Sequence, residues 1–147
     1  MRYIYFDLKY ALKVHDTIIE ISGGLSGENN IGLLDSVIDF IQSDLYYPNF
    51  EDKLTHLVYS VNKNHAFSDG NKRSSIALGV AFLELNGLDY LSKRFIEEME
   101  NIAVFVADNK ISKDLLHKII TSLLYEYEYS ESLKFEIFDA ITDNGEF

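Results

Sequence analysis

Cysteine is absent from this 147-residue chain, so neither a disulfide nor a thiolate metal site is available to it. Its fold must rest on a packed apolar core, which a chain of this length can build as a single domain over residues 1–147. The lack of cysteine suits a reducing compartment, and a cytoplasmic protein is expected. Proline is almost absent as well, with Pro48 alone. No apolar run approaches the about 20 residues that a membrane-spanning helix needs, so no membrane partner is expected. The opening stretch "MRYIYFDLKYALKVHD" has no block of small apolar residues and no cleavage-like site, and it reads as ordinary structure rather than a signal peptide. Positive charge is scarce too. Thirteen Lys and Arg face 24 Asp and Glu, for a net charge of −11. Such a balance repels nucleic-acid phosphates, so no nucleic-acid partner is expected and only a local basic site is left open. The acids crowd into "FIEEMEN" (95–101) and "YEYEYSES" (125–132), which read as solvated surface.

What the chain does contain is apolar residues at helical spacing. With few breakers, this pattern predicts an all-α fold. Helices are expected over 7–21, 31–43, 51–64, 71–85, 93–107, 112–126 and 131–141. "SGGLSGENN" at 22–30 is a flexible break rich in glycine and asparagine, and "DLYYPNF" is a turn around Pro48. In the second helix Leu33, Leu34, Val37, Ile38 and Ile41 are expected to face inward. The stretch from Asn71 to Leu85 is apolar around much of its circumference, which places it in the middle of the domain. Asn86-Gly87 supplies its C-terminal stop.

One stretch carries most of the chemistry, "NHAFSDGNKRSS" at 64–75. Gly70 ends a loop and Asn71 to Arg73 begin the central helix. The first turn of a helix leaves about four backbone N–H groups without intrahelical partners, and the dipole adds positive potential there. Two readings follow: an anion cradle, or a helix start that Asn or Asp merely caps. Lys72 and Arg73 favour the first, because the dipole disfavours cations at a helix start unless an anion compensates. Gly70 lets a ligand approach the backbone, and Asn71 either donates to a phosphate oxygen or holds the loop's shape. His65, across the short loop, suits a general base for a hydroxyl nucleophile. Asp69 is an oxygen ligand of the kind Mg²⁺ takes, or else a helix cap. Phe67 is an apolar anchor for the loop. The other histidines, His15, His56 and His117, show no metal-ligand pattern; His15 falls on the inward face of the first helix, and His56 is read as structural.

These residues resemble the signature of the Fic/Doc superfamily, H-x-F-x-[DE]-[GA]-N-[GK]-R. His65, Phe67, Asp69, Gly70, Asn71, Lys72 and Arg73 match it in order and spacing. The likeness extends through "GENNIGLLDSVIDF", "FEDKLTHLVYSVNKNHAF" and "ALGVAFLELNG", whose layout is that of the Doc, "death on curing", branch. The resemblance implies a helical bundle whose loop and following helix hold nucleotide phosphates and Mg²⁺. It implies that His65 is the general base, Asp69 the metal ligand, Gly70, Asn71 and Lys72 phosphate holders, and Arg73 the residue that stabilises charge on the moving phosphate. Two chemistries are known in the superfamily. Fic enzymes transfer AMP to a protein hydroxyl, whereas Doc enzymes transfer the terminal phosphate of ATP, with elongation factor Tu as the known target. Fic proteins usually carry glycine where this chain has Lys72, and a second arginine where it has Ile76, so phosphoryl transfer is the favoured expectation and AMPylation the alternative. A degenerate domain that only binds a partner is the third reading, and the intact loop speaks against it. A cognate antitoxin is an expected partner beside the target protein. Two departures stand out: Ala66 replaces a proline common in Fic loops, and Asn29 and Asn30 stand where many Doc-like proteins carry arginine and aspartate. Ser132 and Glu136 have the spacing of an inhibitory motif found in some Fic proteins, but Ile137 breaks it, and the match reads as coincidence.

Overall fold

A computed structural model describes residues 2–142. The chain forms α1 (Leu8–Ser22), α2 (Ile31–Phe40), α3 (Phe50–Lys63), α4 (Asn71–Leu85), a 3-10 turn (Asp89–Leu91), α5 (Ser92–Ala107), α6 (Lys113–Tyr125) and α7 (Glu131–Thr142). The expected all-α class holds: among the described residues there is no strand, only an isolated antiparallel bridge between Glu28 and Phe67.

Local chemistry explains most helix starts. Asp7 caps α1 by accepting from the Tyr10 amide at 2.9 Å. Asn49 and Asp52 form a reciprocal capping box on α3, and Ser112 caps α6 through the Leu115 amide at 3.1 Å. Each such cap contributes about 1 kcal/mol. At the other end of α4, the Leu88 amide reaches back to the Leu83 carbonyl at 2.9 Å, so Asn86-Gly87 closes that helix as expected.

The second helix departs from expectation. It ends at Phe40 rather than Ser43, and tight turns follow, with the Gln42 and Ser43 amides on Asp39 and Phe40 carbonyls. The reason lies twelve residues downstream. Fully buried Lys53 donates to the Ile41 carbonyl and to Asp44, both at 2.8 Å, and draws the chain out of helical register. Tyr3 and Tyr5 present their ring faces to the same ammonium at 5.9 and 5.7 Å. Leu33, expected inward, is exposed instead, because α2 meets the core through Leu34, Val37 and Ile38, with Ile41 just beyond its end.

The central position of α4 holds. It packs against α1, α3 and α5, and Leu78, Phe82 and Leu83 on it are fully buried. Gly79 makes the close approach possible. A Cβ there would lie 2.8 Å from Phe95 Cζ on α5 and 3.1 Å from Val58 Cγ2 on α3. The helix start is thereby held rigidly in the bundle, and it carries Asn71, Lys72 and Arg73 with it. The C-terminal α7 joins through buried Leu133 and an ion pair between Lys118 on α6 and Glu136 at 3.0 Å. Glu136 is thus engaged far along the chain from the 64–75 stretch.

Candidate active site

The stretch at 64–75 folds as a loop between α3 and α4. Its first residue outside α3's cap, His65, has φ +49°, a left-handed conformation that costs a non-glycine residue about 1–2 kcal/mol. His65 is exposed, while Ala66 and Phe67 beside it are buried. Burial of the Phe67 side chain contributes about 2–3 kcal/mol and pins the loop to the core.

Three sets of hydrogen bonds then fix the loop's shape. Asn71 receives the Phe67 amide on Oδ1 at 3.2 Å and donates from Nδ2 to the Phe67 carbonyl at 3.0 Å. Of its two expected uses, the side chain therefore serves the loop's shape. The 27–30 segment lies alongside: the Asn29 and Asn30 amides donate to the Ala66 carbonyl at 2.8 and 3.1 Å, and the Ser68 amide to the Gly27 carbonyl at 3.1 Å. Asn29 adds Nδ2 to the Phe67 carbonyl at 3.1 Å. Asn30 accepts from the Leu33 amide at 3.4 Å and caps α2. The two asparagines are thus structural ties of this segment.

The third set surrounds Asp69. Its Oδ1 accepts from the Gly70 amide at 2.8 Å and its Oδ2 from the Leu25 amide at 3.2 Å. These two backbone donors, Leu25 foremost, together with the nearby charges of Arg73 and Lys72, hold the carboxyl below the usual carboxylate range. Asp69 does not cap α4; the cap is Gly70, in the left-handed region at φ +78°. The Leu25 contact requires Gly24, since a Cβ there would lie 2.6 Å from Asp69 Oδ2 and its φ is +124°. Arg73 turns toward the same linker and donates to the Gly23 carbonyl at 3.4 Å. Lys72 is exposed. The loop therefore brings together the first turn of α4, an ionised carboxylate, two cations and an exposed imidazole.

One residue of this region was not singled out for the site by the sequence reading. His15, on α1, is 1 % exposed. Its ring stacks on Phe67 with centroids 3.7 Å apart and planes 3° from parallel. Its Nε2 lies 2.7 Å from the Asp69 carbonyl oxygen. A carbonyl only accepts, so Nε2 carries the hydrogen. The available signal was a histidine on an inward helix face, a polar group in need of a buried partner; nothing local could say that the partner lies 54 positions away.

A 630 Å³ cavity elsewhere, lined by Tyr5, Asp7, Asp35, Asp39 and Leu85 among others, includes none of the loop residues.

The match to the Fic/DOC family model runs over residues 5–83, more than half of the chain, and takes in α1 to α3, the whole loop and all but the last two residues of α4. The chain belongs to the Fic/DOC family. Among curated proteins it is similar to the Toxin Doc of Mycolicibacterium smegmatis, 32% identical over 96 residues, which span 63% of this chain and 74% of that protein. Members of the family generally act as nucleotide-dependent transferases and use Mg²⁺. The loop fits such a ligand in its donor set. Among the described residues no three His, Asp or Glu side chains converge on one point. A divalent ion here would have Asp69 as its protein carboxylate, in the manner of Mg²⁺ held by one or two carboxylates together with phosphate oxygens and water. The exposed face of the α4 start, with Lys72 and Arg73, suits the phosphates.

Proposed function

We propose that the chain is a Doc-like toxin, a protein kinase that transfers the terminal phosphate of ATP to a hydroxyl of a target protein. Lys72 carries this reading. It stands in the first turn of α4, where the AMP-transferring branch usually has glycine. A lysine there occupies the space of the middle phosphates and favours a nucleotide bound with its terminal phosphate toward His65. Ile76, at the place of a second arginine, supports the same reading, since it is packed against the apolar core and offers no charge.

In this mechanism His65 accepts the proton of the target hydroxyl. The hydroxyl oxygen bonds to the γ-phosphorus as the bond from that phosphorus to the β–γ bridging oxygen breaks, and ADP leaves. Asp69 would hold Mg²⁺, which when bound would supply charge neutralisation on the phosphates. Gly70 allows the phosphates close to the backbone, and the amides of Asn71 and Lys72 with the Lys72 ammonium bind them. Arg73 releases the Gly23 carbonyl and stabilises charge on the moving phosphate. The protein's work is positioning and electrostatics. The similarity to a protein named Toxin Doc supports a cognate antitoxin as partner. A translation elongation factor as target class, and the cytoplasm, where ATP and such a target meet, belong to the same proposal and rest on the resemblance to the Doc branch. No helix among the described residues is long and apolar enough to cross a membrane.

ATP labelled on the α- or the γ-phosphate distinguishes the two transfers. Label from the γ position alone on the target is expected; label from the α position would make the chain an AMP-transferase. His65→Ala is expected to abolish transfer and growth arrest together, and undiminished transfer would overturn the base assignment.

A further inference from the structure

We propose that His15 of α1 is a positioning residue for the divalent-ion site. It holds the peptide plane between Asp69 and Gly70 so that the Asp69 carboxylate is presented in one orientation. The inference rests on the reading of Asp69 as the metal-ligating carboxylate.

The argument starts from one peptide group. Its carbonyl edge is the Asp69 oxygen, bound by His15 Nε2–H at 2.7 Å. Its amide edge is the Gly70 N–H, bound by Asp69 Oδ1 at 2.8 Å. The plane is tethered on both edges, and one tether is the carboxylate itself. Gly70, lacking a Cβ, is the residue in the loop with the least resistance to rotating that plane. If the His15 donor is lost, the carbonyl can turn in search of water. The Gly70 N–H then leaves Oδ1, and the carboxylate keeps only its longer bond to Leu25 at 3.2 Å. The first amides of α4 follow directly after this plane, so the phosphate-binding turn shifts with it.

The His15 ring is itself held. It is buried, stacked face to face on Phe67, and Phe67 is clamped by Asn71 through both backbone groups. Space confirms the fit: a Cβ on Gly70 would lie 3.5 Å from His15 Nε2 and 3.2 Å from Ile19 Cδ1, both on α1. The ring therefore has two separable jobs. Its flat face packs on Phe67, and its Nε2–H orients residue 69. A structural role needs only the first.

Substitution separates them. His15→Phe keeps a flat buried ring and removes the donor; His15→Gln returns an N–H at similar reach. Mn²⁺ binding to the full chain in the presence of ADP, followed by electron paramagnetic resonance, reads the site without turnover. Asp69→Asn is the reference variant. His15→Phe is expected to weaken Mn²⁺ binding about tenfold, the lower end of what loss of a ligand's hydrogen-bond partner costs. His15→Gln is expected to recover most of it. If Asp69→Asn weakens binding and His15→Phe matches the parent protein, the positioning role is wrong. If Asp69→Asn changes nothing, the metal-ligand reading fails and this proposal with it. Should His15→Phe not fold, ¹⁵N spectra of the parent protein decide: a slowly exchanging His15 Nε2 proton that shifts on addition of Mg²⁺ and ADP is expected, and an unmoved resonance overturns the proposal.

Discussion

His56 lies beside Tyr47, Ser60 and Lys113, and the Lys113 ammonium donates to its Nδ1 at 2.8 Å. Burial, and then the Lys113 charge, push its pKa down from 6.5 to about 4. The unfolded chain therefore takes up a proton on this imidazole below pH 6.5, while the folded chain does not until about pH 4. Stability is expected to fall as pH drops through this window, by up to about 3 kcal/mol from this group. Urea unfolding at pH 7 and pH 4.5 tests it: His56→Gln should lose less stability on acidification than the parent protein, and equal losses would sink the assignment. Asn71 illustrates a different kind of residue effect. Its amide bonds to both backbone groups of Phe67, and Asn71→Ala leaves the buried Phe67 N–H without a partner and the carbonyl with Asn29 Nδ2 alone. A destabilisation of about 2–3 kcal/mol is expected in a denaturant melt. Phosphate transfer should fall further than stability alone explains, because the loop that carries His65 and Asp69 loses its clamp. The motif names Asn71 as a phosphate residue. Its fold-holding role was open in the sequence and became visible once its neighbour across the loop was in place.

Among the helices, α4 was legible to the residue, Asn71 to Leu85, because its start and stop both carry strong local signals. The end of α2 was not legible. Its last residues look helical by spacing, yet a lysine on α3 claims the Ile41 carbonyl. Gly79 offers the cleanest test of how the helices meet. In an isolated helix, alanine is favoured over glycine by about 1 kcal/mol. Here a methyl group would meet Phe95, itself 2 % exposed, at 2.8 Å. Gly79→Ala is therefore expected to destabilise by about 1–3 kcal/mol through overpacking, and a raised thermal midpoint would contradict the packing described.

Across the molecule, the dominant electrostatic fact is a net charge of −11. The two acidic runs seen in the sequence meet in space, where the Tyr129 hydroxyl of the second donates to Glu98 of the first at 2.7 Å. The ion pairs Lys118–Glu136, Lys134–Glu131 and Lys93–Glu97 lie at the surface, where each contributes at most about 1 kcal/mol. Salt should then screen more repulsion than attraction. The thermal midpoint is expected to rise between low and physiological NaCl; a fall would mean that the surface pairs outweigh the self-repulsion.

The class of fold was written along the chain, and so was the set of side chains that the loop brings together. Helical periodicity is a local property, and seven motif residues lie within nine consecutive positions, where neighbours in sequence are neighbours in space. What required the folded molecule was every contact made across sequence distance. His15 reaches Asp69 from α1, Leu25 holds the same carboxylate from the linker, and Asn29 ties the loop from the segment before α2. A hydrogen bond between residues dozens of positions apart leaves no periodic trace, because its partners are chosen by how the helices pack and not by the residues beside them.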